Sequence, residues 1–158
     1  MGKYLNWRSV RIFAYVYSSV YAFGKHVGEL VYCSGPSMYP TIQDGDLVIA
    51  ERMSVKLGNI RRGDIVGSLS PLDPDQLLCK RITKKQFDNV YDTIIPIGRV
   101  PKGHVYLEGD NFAQSTDSRY FGPVPQGLVQ IRLVFRIWPL TRIGWLSNHW
   151  FWESDNTK

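Results

Sequence analysis

The feature that most restricts this chain is the spacing of its turn signals. Asp-Gly-Asp (44–46), Arg-Gly-Asp (62–64), Pro-Leu-Asp-Pro (71–74), Val-Pro-Lys-Gly (100–103) and Glu-Gly-Asp-Asn (108–111) cut it into pieces too short for most helices. Glycine at such places supplies backbone conformations other residues avoid, while Pro and Asp start turns. Strands are expected at 47–53, after the turn in 61–70, at 76–85, at 104–111 and at 128–138. Residues 86–103 are less regular, with a hairpin expected around Asp88-Asn89, and 112–127 read as a long polar loop. Many short strands between turns predict a mostly β barrel or sandwich.

The start of the chain follows another rule. Its first 28 residues carry Lys3, Arg8, Arg11 and Lys25 and no acid, and residues 12–24, IFAYVYSSVYAFG, lack any charge. A helix is expected over 5–32. The uncharged run spans about 20 Å at ~1.5 Å per residue, short of a bilayer core of about 30 Å. Four readings stand: a cleaved secretory signal, though no Ala-x-Ala exit follows; an acid-poor, Arg-containing mitochondrial address; an amphipathic helix packed on its own domain; and a retained membrane-associated helix, which we favour. The expected organisation is 1–32 as that helix, 33–140 as a β domain and 141–158 as a tail. The tail contains GWLSNHWFW (144–152), whose tryptophans suit either a lipid interface or packing beneath the domain.

Composition removes several function classes. Two cysteines, Cys33 and Cys79, exclude a disulfide framework. With three histidines and neither a CxxC nor an HExxH pattern, no metal site is expected. No glycine-rich phosphate loop is present, and no cofactor is expected. The net charge of +5 favours acidic partners. It gives little support to a nucleic-acid-binding barrel, because the aromatics gather at the termini instead of interleaving with Lys and Arg.

One stretch raises a chemical question. CSGPSMYPT (33–41) is too rich in Gly and Pro for a helix interior and alternates too little for a strand. Either it is a turn that contains a serine, or it is a turn that presents Ser37. A serine hydroxyl needs a base to become a nucleophile. His104, His26 and His149 are the available histidines, and nothing in the sequence marks a triad. The Gly-x-Ser-x-Gly elbow fails at Tyr39. Lysine is the other base used with serine, and it must lose its proton, which burial in apolar surroundings promotes. Lys80 fits best, preceded by Leu77-Leu78-Cys79 and followed by Arg81-Ile82; its plain alternative is a surface lysine on a basic stretch. The third element is GDNFAQSTDSR (109–119), a dense polar loop. It reads either as a solvated turn or as a support in which Ser115 aims the lysine while Asp117 and Arg119 hold the loop.

Taken in order, SGPSMYPT, RRGDIV, CKRI and LEGDNFAQSTDSR followed by FGP resemble the four sequence boxes of the type I signal peptidase family, across residues 34–124. The resemblance implies a coiled β-sheet or barrel domain with an N-terminal membrane-associated helix. It implies Ser37 as nucleophile, Lys80 as general base and Ser115 as the lysine's support, with Asp117, Arg119, Arg81, Gly109, Asp110 and Asn111 completing the site. One departure matters: some relatives place an oxyanion-binding serine two residues before the nucleophile, and here Gly35 stands there, leaving more of that work to the Ser37 N–H. SGPSMYPTI, HVYLEGDN, GPVPQGL and IWPL narrow the resemblance to the mitochondrial inner-membrane branch. That branch implies a membrane-bound endopeptidase facing the intermembrane space. Its implied partners are inner membrane lipid, a paralogous second subunit in a heterodimer, and precursors bearing intermembrane-space sorting signals, with no nucleic acid. The alternative within this branch is a non-catalytic scaffold subunit, although a scaffold has no need of Ser37, Lys80 and Ser115 together.

Overall fold

The computed structural model describes residues 6–26, 28–91 and 98–146. Helix α1 (Trp7–His26) opens the chain, followed by strands β1 (Glu29–Tyr32), β2 (Leu47–Glu51), β3 (Ile65–Leu69), β4 (Leu77–Lys85), β5 (Asn89–Val90), β6 (Gly98–Arg99), β7 (His104–Glu108), β8 (Val124–Pro125), β9 (Val129–Trp138) and β10 (Gly144–Trp145). Two one-turn helices, α2 (Met53–Lys56) and α3 (Ser118–Phe121), interrupt the series. Eight strands form one antiparallel sheet in the order β1-β2-β9-β3-β4-β7-β8, with β10 also on β9, and β5-β6 form a separate hairpin. Irregular register within β2–β9, β3–β9 and β4–β7 bends the strands, and the sheet curls into a half-barrel. The mostly β expectation holds.

Alternation along the strands builds two apolar layers. Val48, Ala50, Ile65, Ile131 and Leu133 pack with Cys33, Met38 and Ile42. Val66, Ile82, Val105, Leu107 and Val129 pack with Ile60 and Val124. Adjacent residues Ile65 and Val66 enter different layers, as the two-residue period of a strand requires. A cationic strut also lies inside. Arg132, nearly fully buried on β9, donates from Nε to Glu51 Oε1 at 2.8 Å and pairs through Nη1 with Asp64 Oδ2 at 3.5 Å. The Ser54 and Arg61 N–H groups donate to the same two carboxylates, so the buried charge is matched by donors and partners.

Three local expectations change. The helix ends at His26, and Glu29–Tyr32 are instead the first strand of the sheet, in register with residues 47–50. The bond between Gly45 N–H and Cys33 O at 3.0 Å helps bring this segment back to β2, a tertiary cause invisible in local pattern. The turn before the hairpin falls at Gln86-Phe87, where Phe87 has φ +71°. Asp88 sets it by accepting the Lys85 N–H at 2.7 Å, and Asn89 already belongs to β5. The 112–127 loop contains α3, whose first turn is capped by the Asp117 side chain. In the tail, Gly144–Trp145 join β9, and Trp145 packs edge-on against Phe135 at 4.9 Å; His149 and the tryptophans beyond lie outside the described residues.

The described aromatics of helix α1 stand exposed rather than packed on the sheet. Trp7, Phe13, Tyr15 and Tyr17 are 73–75% exposed, so the reading of an amphipathic helix buried on its own domain is not met. Among the described residues, no helix is long and apolar enough to cross a membrane.

Candidate active site

The loop between β1 and β2 is closed at its neck by the bond from Cys33 N–H to Asp46 O at 2.8 Å. Gly35 takes φ +91°, where L side chains are strained, and donates its N–H to Asp44 Oδ1 at 2.9 Å. A turn follows, with Tyr39 N–H donating to Pro36 O at 3.1 Å. Met38 is driven into the core at 3% exposure, which leaves its neighbour Ser37 half-buried. Asn111 holds this turn from outside. Its backbone N–H donates to Ser37 O and its Nδ2 to Pro36 O, each at 3.0 Å. Gly, Pro and an anchoring Met therefore fix where Ser37 sits, which answers the question its sequence raised.

Ser37 and Lys80 line the same cleft of about 610 Å³, together with Cys33, Cys79, Thr116 and the apolar Ile131. Lys80 lies on β4 opposite Val66 and is 3% exposed. Burial lowers its pKa from the ordinary lysine value; the Asp117 charge pushes it back up in part, and the Arg119 charge lowers it further. Desolvation prevails because an ammonium loses most of its hydration there. The surface-lysine reading of Lys80 is thereby excluded.

The loop after β7 supplies the next layer. The Asp117 carboxylate is fully buried and accepts from Ser115 Oγ at 2.7 Å, Gly109 N–H at 2.9 Å and Arg119 Nε at 2.8 Å. Burial pushes the Asp117 carboxyl up, but the hydrogen bonds from Arg119, Gly109 and Ser115 outweigh it and hold the group below the usual carboxylate range. Arg119 also stacks over the Phe112 ring at 4.1 Å. Asp117 thus joins Ser115, Gly109 and Arg119 in one hydrogen-bonded unit. Ser115 gives its single proton to Asp117, so only its lone pairs are left for a lysine N–H. Gly109 has no room for a side chain: a Cβ would lie 2.2 Å from Ser115 Oγ and 2.5 Å from Ser37 O. The Ser115 loop and the Ser37 loop meet over this glycine.

Arg81 and Asp110 tie β4 to the same loop. Arg81 donates from Nε to Asp110 Oδ1 at 2.8 Å and from Nη2 to Asp110 Oδ2 at 2.7 Å, with a further bond from Nη1 to Gly63 O at 2.7 Å. The three bonds use the planar fork of the guanidinium. Arg81→Lys keeps the charge but loses the fork, and is expected to cost about 1–2 kcal/mol of stability. Urea unfolding checks this.

The structure thus gathers Ser37, Lys80, Arg81, Gly109, Asp110, Asn111, Ser115, Asp117 and Arg119 into one region. His104 stands at the far end of β7, its Nδ1 3.0 Å from Lys102 O, away from the Ser37 cleft. The sequence reading missed Thr116 as a cleft residue and the buried Glu51–Asp64–Arg132 cluster. A signal for the latter was present in Arg132, a charge set among apolar Ile131, Leu133 and Val134 of β9.

Comparison with known proteins supplies the family. The family described as "Signal peptidase, peptidase S26" matches residues 6–86 and 83–138. The mouse protein "Mitochondrial inner membrane protease subunit 1" is 48% identical over 129 residues, covering 78% of this chain and 78% of its own. The human protein of the same name is 48% identical over 127 residues, covering 77% and 76%. "Mitochondrial inner membrane protease subunit 2" of Saccharomyces cerevisiae is 34% identical over 130 residues, covering 75% and 73%. With its curled sheet and these matches, the chain belongs to the signal peptidase family, peptidase S26.

Proposed function

We propose that this protein is a membrane-associated serine endopeptidase that removes intermembrane-space sorting signals from precursor proteins at the mitochondrial inner membrane. Ser37 is the nucleophile and Lys80 the general base. The observation that carries this reading is the burial of Lys80, with its lowered pKa, in the cleft that Ser37 also lines. Neutral Lys80 takes the Ser37 proton as Oγ attacks the scissile carbonyl, and the Ser37 N–H donates to the developing oxyanion. The lysine ammonium then protonates the leaving amine. A water deprotonated by Lys80 releases the acyl group in the second half.

The names of the relatives support the location at the inner membrane and a paralogous second subunit as partner. The exposed aromatics of α1 support attachment to lipid, and the catalytic domain would face the intermembrane space. The test is processing of a precursor bearing such a sorting signal, in mitochondrial membranes holding wild type or Ser37→Ala at equal abundance. Wild type should yield the shortened product and Ser37→Ala should yield none. Equal processing by both would assign the cut to the partner and make this chain a scaffold.

A further inference from the structure

The mechanism leaves two reactive groups of the cleft unused. Cys33 closes the neck of the nucleophile loop, and Cys79 directly precedes Lys80. Both line the cleft, Cys79 packs against the apolar cluster that contains Cys33, and neither is in a disulfide. Cys33 and Cys79 are thus neighbours, one on the nucleophile loop and one on the strand of the base, in one cleft wall and one apolar cluster. Filling an apolar layer requires no such contact between the nucleophile loop and the strand of the base.

We propose that Cys33 and Cys79 form a modifiable dithiol, converted to an internal disulfide by a low-molecular-weight disulfide, and that this conversion switches the peptidase off. The regulatory part rests on the Ser37–Lys80 reading. Cys33 is the group that attacks first: its neighbour Cys79 lowers its pKa, against burial and the Asp46 charge, which raise it. The Cys33 thiolate breaks the S–S bond of the reagent and forms a mixed disulfide, releasing one thiolate that takes up the proton Cys33 lost. Cys79 sulfur then displaces the second reagent thiol, which leaves with the Cys79 proton. Two cysteine thiols are oxidised and one reagent disulfide is reduced to two thiols. The new bond, about 2.05 Å, holds the two sulfurs closer than any non-bonded contact allows. It draws together the loop bearing Ser37 and the strand bearing Lys80, and a misplacement of about 1 Å can cost ~10²-fold in rate.

The experiment uses the full chain in its membranes, treated with 2-hydroxyethyl disulfide. After denaturing alkylation, intact mass should show two alkylation sites lost and no reagent adduct, and precursor cleavage should fall about 10²-fold. Dithiothreitol should restore both. The double variant Cys33→Ala/Cys79→Ala should keep its own untreated rate after the same exposure. Retention of both alkylation sites, or a stable mixed adduct alone, would overturn the dithiol. A disulfide that leaves cleavage unchanged would overturn the switch. No cleavage by the untreated, reduced protein would instead sink the Ser37–Lys80 reading and the switch with it, while the mass measurement still judges the dithiol by itself.

Discussion

Lys80→Met is expected to reduce cleavage by about 10⁴-fold or more and at the same time to stabilise the fold at neutral pH. Methionine keeps the length of the side chain and removes the amine. The loss of rate follows because Ser37 then has no base. The gain in stability follows from linkage. Burial lowers the pKa of Lys80 in the folded state, so between that value and the unfolded ~10.4 the native state binds fewer protons than the unfolded state. Stability from this group therefore rises with pH across that window, and the destabilisation is full below it. The advantage of Lys80→Met should be greatest at pH below the folded pKa and should shrink toward pH ~10.4. Wild-type cleavage should rise with pH as Lys80 becomes neutral, with its midpoint below that of a free lysine. Melting temperatures across pH, beside the pH–rate profile, test both halves. A variant with unchanged cleavage, or one no more stable than wild type at neutral pH, would remove Lys80 as a buried base.

Gly109→Ala is expected to lower the rate by about 10²-fold or more and stability by about 1–3 kcal/mol. The added methyl group would meet Ser115 Oγ at 2.2 Å, Ser37 O at 2.5 Å and Ser115 Cβ at 2.6 Å. None of these yields freely. Ser37 O is backbone and accepts the Asn111 N–H, while Ser115 is held by the buried Asp117. Relief therefore moves either the nucleophile or the loop that supports the base. Gly127→Ala is the control, since a Cβ there meets nothing within 4 Å, and it should behave as wild type in kinetics and denaturant unfolding. If Gly109→Ala matched that control, the two loops would not be in the close contact described.

The strands were legible wherever local chemistry decides them. Turn residues placed β2, β3, β4, β7 and β9 close to their observed limits, because turn chemistry acts within a few residues. The segment 29–32 was not legible. ELVY continues an apolar helical run, and only pairing with 47–50 makes it a strand. The functional residues were readable as an ordered set of boxes, yet their contacts were not. The Ser115 hydroxyl is expected to support the lysine; its donation to Asp117, a partner chosen by how the loop folds back over Gly109, was not readable from the sequence.

By itself, the sequence determined the segmentation into short strands, the constrained presentation of Ser37 and the chemical kinds available beside it. All of these depend on backbone preferences and residue identity, which are local. The tertiary structure alone decided that β9 would run between β2 and β3, that Lys80 would lose its water, and that Cys33 would meet Cys79. Those outcomes depend on burial and on neighbours distant in the chain. A lysine's charge in solution is set by its own chemistry, but its charge in this cleft is set first by burial and then by the charges of Asp117 and Arg119, which only the curled sheet brings around it.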